Sequence, residues 1–286
     1  MAATAFALIN RSAGGSMRAM SNAYKLVSAA PLTPCIGLCR LDGQGLCLGC
    51  QRTGEEIGRW AHMSDSERWV FMREVLPARQ SAAMKDDALA PLLAALHPLS
   101  MPPTAPGWNH DDMTALLGTA DRQPAAVLMG FREGVQPRLV LTVRTDHLQS
   151  HAGQVAFPGG RSDPEDRNAL STALRESQEE IGLDPALVTP LGYLDCFETI
   201  SGYVITPVVA RIAAEARLHP APDEVAEVFE VPLDFLLEPA NLRRYTMEFR
   251  GHRRPMVEFV HGGHRIWGAT ASMLLNLLQR MGLEHI

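Results

Sequence analysis

The stretch Gln154–Leu183, QVAFPGGRSDPEDRNALSTALRESQEEIGL, decides how the rest of the chain is interpreted. It places a glycine turn before a helical segment that carries Glu176, Glu179 and Glu180. At about 100° per residue these side chains fall on one face of a helix, where like charges repel each other. A divalent cation held by carboxylate oxygens relieves such repulsion, so the pattern indicates a metal site. The alternative is a solvated acidic face on an ordinary amphipathic helix.

The rest of the predicted helix fits a packed element. A different face carries residues suited to packing, namely Leu170, Leu174, Ser177 and Ile181. Arg175 stands four residues before Glu179, which favours an ion pair between adjacent turns of the helix. Gly182 is a typical helix stop. We therefore predict a helix over Asn168–Ile181.

This segment resembles the Nudix box, whose pattern is Gly, five residues, Glu, seven residues, Arg-Glu, an apolar residue, any residue, Glu-Glu, any residue and Gly. Residues 175–182 match it, except that Ser177 replaces the apolar residue. The front half departs from the pattern, because Asp166 stands where Glu is expected and the spacer that follows is one residue longer. Asp163, Glu165 and Asp166 are all candidates for the role of that acid.

The flanks are similar to the coenzyme A pyrophosphatase branch of the Nudix hydrolases. The branch pattern is filled here by Leu141, Arg144, Leu148, His151, Gly153, Gln154, Phe157, Pro158, Gly159 and Gly160. Residues 202–210, 222–236 and 266–274 also resemble that branch, and the likeness covers about residues 110–282. It implies an α/β fold, the Nudix α/β/α sandwich with a mixed sheet.

The resemblance implies metal-dependent hydrolysis of the pyrophosphate bond of coenzyme A or acyl-CoA. The products would be adenosine 3′,5′-bisphosphate and (acyl-)4′-phosphopantetheine. Mg²⁺ or Mn²⁺ held by Glu176 and Glu180, with Glu179 sharing it and the Gly160 carbonyl near it, would polarise phosphoryl oxygens and acidify a bound water. Arg175 completes the expected catalytic set.

Further roles follow from the same resemblance. Contacts to substrate are expected from Arg144, His151, Gly153, Gln154, Gly159, Gly160 and Arg161. The general base is sought first in the box carboxylates, with Glu224 or Glu227 as candidates outside the box. Two other functions remain open: a Nudix hydrolase of another nucleoside diphosphate derivative, such as ADP-ribose or a nucleotide sugar, and a non-catalytic, metal-stabilised binding module.

A second motif lies near the amino terminus, where Cys35, Cys39, Cys47 and Cys50 are spaced C-x3-C-x7-C-x2-C. Thiolates at such intervals can close round one metal, either Zn²⁺ or the iron of an iron–sulfur cluster. Two disulfides and unliganded thiols are the alternatives, but no clear secretory signal accompanies the cysteines. Residues 33–79 resemble the DUF1289 family, often described as predicted Fe–S proteins, which implies a small cysteine-rich helical metal-binding domain.

The chain is therefore divided into four parts: a leader-like or disordered terminus at 1–32, a DUF1289-like four-cysteine domain at 33–79, a helix and proline-rich linker at 80–109, and a Nudix domain at 110–286. The proline-rich residues 98–107 are expected to form a linker or an extended arm. In the cysteine domain we expect two short helices, with Trp60, Trp69 and Phe71 packing and Ser64 capping the second. Strands are predicted at 125–129, 139–144, 188–197, 204–212, 245–250, 256–260 and 265–267, and further helices near 233–237 and at 269–281.

Composition narrows the class of partner. The formal net charge of −6 over 286 residues argues against a general nucleic-acid binder. No apolar run reaches about 18 residues, so no membrane span is expected. We expect a small-molecule substrate and a cytoplasmic protein, with an organellar leader as the alternative. A homo-oligomer is compatible with the sequence.

Overall fold

The computed structural model describes residues 32–37, 39–83, 88–118, 121–146, 153–249 and 251–283. The leader expected at 1–32, apart from its last residue, and His151 lie outside the described residues. Residues Thr33–Ile286 group as one compact unit, so the two domain boundaries placed within it, after residues 79 and 109, stay a prediction. No helix in the described ranges is long and apolar enough to cross a membrane.

Short helices build the amino-terminal head, and the first two of them begin with a capping box. They are α1 (Gly54–Arg59), α2 (Asp65–Val70) and α3 (Leu76–Ala83), with a 3₁₀ turn at Trp60–His62 and a π turn at Phe71–Val75. The Ser64 hydroxyl accepts a hydrogen bond from the Glu67 N–H while the Glu67 carboxylate accepts one from the Ser64 N–H. This capping box confirms the predicted start of the second helix.

Aromatic packing in the head differs in part from the prediction. Trp60 is buried and meets Phe71 edge-on, with ring centroids 6.2 Å apart. Trp69 is 44% exposed, so its predicted packing is wrong. The reason is the helical period: Trp69 and Val70 lie on the face of α2 that turns to solvent, and both are exposed.

The proline-rich segment is an extended arm that packs along the sheet. It follows α4 (Ala90–Leu93) and leads into α5 (His110–Leu117). His97 exchanges two backbone hydrogen bonds with Tyr193, at 2.8 and 3.0 Å, and Leu99 is buried. The segment therefore has the form of an extended arm, one of the two forms expected from its sequence.

A mixed eight-stranded sheet and a separate three-stranded sheet follow in the chain. The strands of the first are β1 (Gln123–Arg132), β2 (Arg138–Arg144), β3 (Val155–Ala156), β4 (Gly159–Arg161), β5 (Val188–Tyr193), β6 (Phe197–Glu198), β7 (Tyr203–Ile212) and β8 (Val225–Pro232). The second sheet contains β9 (Arg243–Phe249), β10 (His252–His261) and β11 (His264–Trp267).

The order β3-β2-β1-β7-β5 forms the spine of the large sheet, with β4 paired to β1, β6 to β7 and β8 to β2. The pair β1–β7 is parallel and the others are antiparallel, which confirms the expected mixed sheet. Prediction missed β8, whose seven ladder pairs with β2 join residues far apart in the chain.

Alternate residues of β1 face opposite sides of the sheet. Ala126 and Leu128 share an apolar cluster with residues of α6 (Ala169–Ile181). Val127 and Met129 share the other cluster with residues of α8 (Gly268–Arg280) and of the small sheet. Helices thus cover both faces, as expected for an α/β/α sandwich, and the short helix α7 (Leu233–Leu237) matches its prediction.

Candidate active site

Helix α6 presents the box residues, and both of its ends are defined by its own sequence. The Asn168 side chain accepts a hydrogen bond from the Ser171 N–H at 2.9 Å, which caps the amino end. Gly182 ends the helix in the left-handed conformation at φ 62°. The predicted packing face is buried throughout, and Ser177 satisfies its hydroxyl by donating to the Ala173 carbonyl at 2.6 Å.

Glu180 is the most buried of the box carboxylates, with 3% of its surface exposed. Its Oε2 accepts a hydrogen bond from the Gly159 N–H at 3.1 Å, and its Oε1 lies 3.5 Å from Arg144 Nη1. Burial nevertheless raises the pKa of Glu180 to about 7, and repulsion from Glu176 and Glu224 adds to the shift. The carboxylate is therefore short of positive charge in this arrangement.

Glu176 lies directly against the glycine turn. A Cβ built on Gly160 would stand 2.5 Å from Glu176 Oε2, so only glycine lets the backbone pass this close. Burial is the main cause that raises the pKa of Glu176, and the Glu179 and Glu224 carboxylates add to it. The Arg175 guanidinium opposes the shift from 2.8 Å.

Glu179 stands at the rim of the cluster, with 58% of its side chain exposed. Arg175 Nη1 donates to its Oε2 at 3.1 Å, which confirms the predicted ion pair between adjacent turns. The three box carboxylates therefore range from nearly enclosed to open. Glu180 and Glu176 line the interior of the site and Glu179 meets solvent.

Of the three acids considered for the front of the box, Asp166 makes the closest bonds to Arg175. Arg175 donates to both of its oxygens, at 3.2 and 2.9 Å, and the Thr172 hydroxyl lies 3.0 Å from Oδ2. The Arg175 hydrogen bond holds the pKa of Asp166 at about 2. Asp163 is a weaker neighbour, 3.7 Å from Arg175 Nη2. Thr172, which sequence reasoning did not single out, lies six residues after Asp166 and on the same side as Arg175.

The loop expected to contact substrate is closed at its base. The Arg144 N–H donates to the Gln154 carbonyl at 3.0 Å, and the Gly153 N–H donates to the Arg144 carbonyl at 3.1 Å. Gly153 has a φ of 67°, which favours glycine there. Arg144 turns its guanidinium towards Glu180, whereas Arg161 is 65% exposed and 3.9 Å from Asp163. His151 lies outside the described residues.

The two acids considered outside the box, Glu224 and Glu227, have different surroundings in the structure. Glu224 raises the pKa of both Glu176 and Glu180, so it stands within electrostatic reach of the cluster. It is placed there by β8, since Val225 pairs with Arg144 and the Thr145 N–H donates to the Glu224 carbonyl at 3.1 Å. Glu227 lies 3.1 Å from His264 Nε2 instead.

The donor set at this site fits a hard divalent cation. The buried carboxylate of Glu180 and the partly buried carboxylate of Glu176 repel each other beside a glycine backbone, and oxygen ligands of this kind suit Mg²⁺ or Mn²⁺. Within the described ranges no three Cys, His, Asp or Glu side chains already converge as a coordination shell. Each of the two inner carboxylates has a guanidinium beside it: Arg175 Nη1 donates to Glu176 at 2.8 Å, and Arg144 Nη1 lies 3.5 Å from Glu180.

The cysteines of the head are also neighbours without forming a closed shell. Repulsion from Cys35 is the main cause that raises the pKa of Cys39, and Cys47 adds to it. Burial disfavours ionisation of Cys47, but hydrogen bonds from the Cys50 and Gly49 backbone outweigh it and lower its pKa. Burial raises the pKa of Cys50, and the hydrogen bond that Arg52 Nε–H donates to its sulfur at 3.3 Å only partly offsets this shift. All of these thiols are free of disulfides, so a disulfide pairing is not formed here.

Known families match two parts of the chain. Residues 33–80 match the family described as "Protein of unknown function (DUF1289)". Residues 121–249 match the NUDIX domain. Both matches fall on the segments where the cysteine spacing and the acidic helix are found.

Several curated bacterial proteins resemble the chain over most of their own length. "Uncharacterized Nudix hydrolase NudL" of Pectobacterium atrosepticum is 42% identical over 62% of this chain and 96% of the relative. The protein of the same name from Photorhabdus laumondii is 40% identical over 55% of this chain and 84% of the relative. Among solved structures, a MutT/nudix family protein from Enterococcus faecalis aligns with a TM-score of 0.39 at 12% identity, covering 77% of this chain and 75% of that one. The chain thus belongs to the Nudix hydrolase family and carries a DUF1289 region ahead of its Nudix domain.

Proposed function

We propose that this protein hydrolyses the pyrophosphate bond of coenzyme A or acyl-CoA in a reaction that depends on Mg²⁺ or Mn²⁺. The products are adenosine 3′,5′-bisphosphate and (acyl-)4′-phosphopantetheine. The observation that carries the proposal is the pair Glu176 and Glu180, which lies against the Gly159–Gly160 turn and in which the pKa of both carboxyl groups is raised, mainly by burial. Membership of the Nudix hydrolase family supports pyrophosphate chemistry at such a site.

The choice of coenzyme A rests on the segment that frames these carboxylates. Residues 141–160 resemble the coenzyme A pyrophosphatase branch, and within them β2 and the glycine turn both border Glu180. In this proposal Arg144, Gly153, Gln154, Gly159, Gly160, Arg161 and His151 contact the substrate. A diphosphate is matched by guanidinium groups and by close backbone N–H groups.

The bound cation would neutralise diphosphate charge and lower the pKa of water. The chain's part is to supply oxygen ligands, with Glu176 and Glu180 inside and Glu179 sharing the cation from the rim. Arg175 holds Glu176 and Glu179 while Asp166 fixes Arg175 from the other side. Burial of Glu180 beside the Gly159 N–H keeps the ligand oxygens fixed and limits competing water.

Glu224 is the acid outside the box that we propose as a proton acceptor for the attacking water. Its carboxylate repels Glu176 and Glu180, whereas Glu227 is engaged by His264. Turnover by Glu224→Gln compared with Glu227→Gln tests the assignment. We expect a loss of about a hundredfold or more in the first and near-normal turnover in the second. Equal rates would remove Glu224 from the mechanism.

At the head we propose that Cys35, Cys39, Cys47 and Cys50 hold a thiophilic metal, Zn²⁺ or an iron–sulfur cluster. The four thiols form a continuous chain of neighbours, and Arg52 offers positive charge to the sulfur of Cys50. Metal analysis and the visible spectrum of anaerobically purified protein distinguish the two. Protein that contains neither metal, and that takes up no Zn²⁺ when it is supplied, would contradict this assignment.

The main experiment is a comparison of substrates. Purified full-length protein is assayed on coenzyme A, on an acyl-CoA and on ADP-ribose, with Mg²⁺ and with EDTA, and the products are separated by chromatography. We expect adenosine 3′,5′-bisphosphate from the coenzyme A substrates only with metal, and a higher kcat/KM than for ADP-ribose. Faster cleavage of ADP-ribose would replace the substrate but keep the chemistry, and no cleavage of any of them would refute the hydrolase.

A further inference from the structure

A short segment of the head belongs to the same apolar core as the box helix of the Nudix domain. Ile36, which lies between Cys35 and Cys39, is 8% exposed and belongs to the same apolar cluster as Leu170 and Leu174 of α6. A residue of the cysteine motif therefore forms part of the core on which the acidic helix rests.

Two residues close to Ile36 in sequence, Gly37 and Arg40, lie next to the segments that precede and follow α6. A Cβ on Gly37 would lie 3.6 Å from Arg167 Nη1, and Arg167 directly precedes the Asn168 cap. Arg40 Nη1 donates a 2.6 Å hydrogen bond to the Ala186 carbonyl, in the 3₁₀ turn that follows the helix. The head thus lies beside the residue that precedes the α6 cap, shares an apolar cluster with the packed face of α6, and is hydrogen-bonded to the turn that follows the helix.

Packing of this kind matters because α6 is short. An isolated helix of 13 residues is marginal in water, so its position is set by the surfaces that pack against it. Glu180 accepts a 3.1 Å hydrogen bond from the Gly159 N–H, and Glu176 lies so close to Gly160 that an added Cβ there would stand 2.5 Å from its carboxylate. A displacement of about 1 Å at a site of this type is costly.

We propose that Ile36 and Arg40 are positioning residues of the hydrolase site, which act through α6 although they belong to the DUF1289 region. They touch neither the carboxylates nor the glycine turn in the contacts described here. Their effect is to fix the axial and lateral position of α6, and with it the distance from Glu180 to the Gly159 N–H. Because Cys35 and Cys39 flank this segment, the conformation of the cysteine motif is transmitted to the acidic helix.

Hydrogen exchange of the full-length protein, followed by mass spectrometry, tests the proposal without any substrate. In Ile36→Ala we expect exchange in α6 to accelerate at least about tenfold, while exchange in α8 stays at the wild-type rate. Ile57→Ala is the matched control, since Ile57 is 37% exposed in α1 of the same head. Ile36→Val should restore most of the protection, and Arg40→Gln should raise exchange at the carboxyl end of α6 without a risk to folding.

Binding of Mn²⁺, measured by electron paramagnetic resonance, separates positioning from a purely structural role, and this readout rests on the proposed function. We expect Ile36→Ala to weaken Mn²⁺ about tenfold and Ile36→Val to recover it. Three results would overturn the proposal. The first is an α6 exchange rate in Ile36→Ala equal to that in Ile57→Ala, and the second is an equal acceleration of exchange in α6 and α8. The third is an Mn²⁺ affinity that stays unchanged in Ile36→Ala although exchange in α6 is faster. If the wild type binds no Mn²⁺, the proposed hydrolase fails, and the exchange data alone decide the role of Ile36.

Discussion

The carboxylate of Glu180 makes stability depend on pH when no cation is present. Its pKa is raised from 4.5 to about 7 by burial, so the unfolded chain releases this proton more readily than the folded one. The stabilising contribution is fully present below about pH 4.5 and is lost as the pH rises through 7. The complete shift corresponds to about 3 kcal/mol, and most of it appears between about pH 5 and pH 8.

Replacing Glu180 by Gln removes the ionisation and keeps the shape of the side chain. In EDTA the wild type should lose stability from about pH 5 to pH 8 through this ionisation, whereas Glu180→Gln should not. The free energy of unfolding of the variant should therefore rise relative to that of the wild type by about 2–3 kcal/mol over this range. A constant offset from the changed contact with Arg144 does not affect this slope. Urea unfolding followed by tryptophan fluorescence across that pH range measures the difference.

Two controls sharpen this experiment. Glu179→Gln changes a side chain that is 58% exposed, so its difference from the wild type should stay within about 0.5 kcal/mol over the same range. Mg²⁺ should stabilise the wild type at high pH and leave Glu180→Gln almost unaffected. If the difference for Glu180→Gln did not change with pH, the account of a carboxylate short of positive charge would be refuted.

Three further predictions concern the support of the site. Asp166→Asn should destabilise the protein by about 2 kcal/mol near neutral pH, since the pKa of Asp166 is lowered from 3.8 to about 2, and that difference should vanish as the pH falls through about 2 in acid-unfolding measurements. Gly160→Ala should lower turnover at least tenfold because its Cβ meets the Glu176 carboxylate, whereas Gly43→Ala, with no heavy atom within 4 Å, should not; equal rates would contradict the close approach. Ser177→Leu, which restores the usual apolar residue of the box, should lower the thermal midpoint by the equivalent of about 1–3 kcal/mol, because this site is fully buried; an unchanged midpoint would show that the core has room.

Local sequence signals predicted the acidic helix and the composition of its faces. The stop at Gly182 and the apolar period are properties of neighbouring residues, and the structure confirms them. Asn168, predicted as the first residue of the helix, is its amino-terminal cap instead. The acid that pairs most closely with Arg175 could not be predicted, because spacing alone does not decide whether Asp163 or Asp166 lies nearer to the guanidinium. Three-dimensional folding of the loop brings Asp166 to 2.9 Å and leaves Asp163 at 3.7 Å.

Contacts between distant segments account for what the sequence did not predict. Strand β8 shows no regular alternation of buried and exposed residues: Val225 and Val231 are buried, Glu227 is exposed and residues 228–230 are intermediate. Its pairing with β2 depends on residues about 90 positions earlier in the chain. The arm around His97 reads as a proline-rich linker because proline is frequent in linkers. Its fixed position comes from Tyr193, a partner that no local pattern identifies.

The contacts between the head and the Nudix domain also bear on the order in which the chain folds during synthesis. Arg40 donates to the carbonyl of Ala186, which is synthesised 146 residues later, and Gln80 donates to the carbonyl of Leu191, which is synthesised 111 residues later. At about 5–20 residues per second, the ribosome needs roughly 5–30 s to supply these partners. During that interval the Nudix residues that bury Ile36 have not yet been made, and the thiols of Cys35 and Cys39 are exposed. A metal bound to the cysteine motif, or a chaperone bound to this segment, would therefore protect the nascent chain from aggregation and oxidation most effectively at this stage.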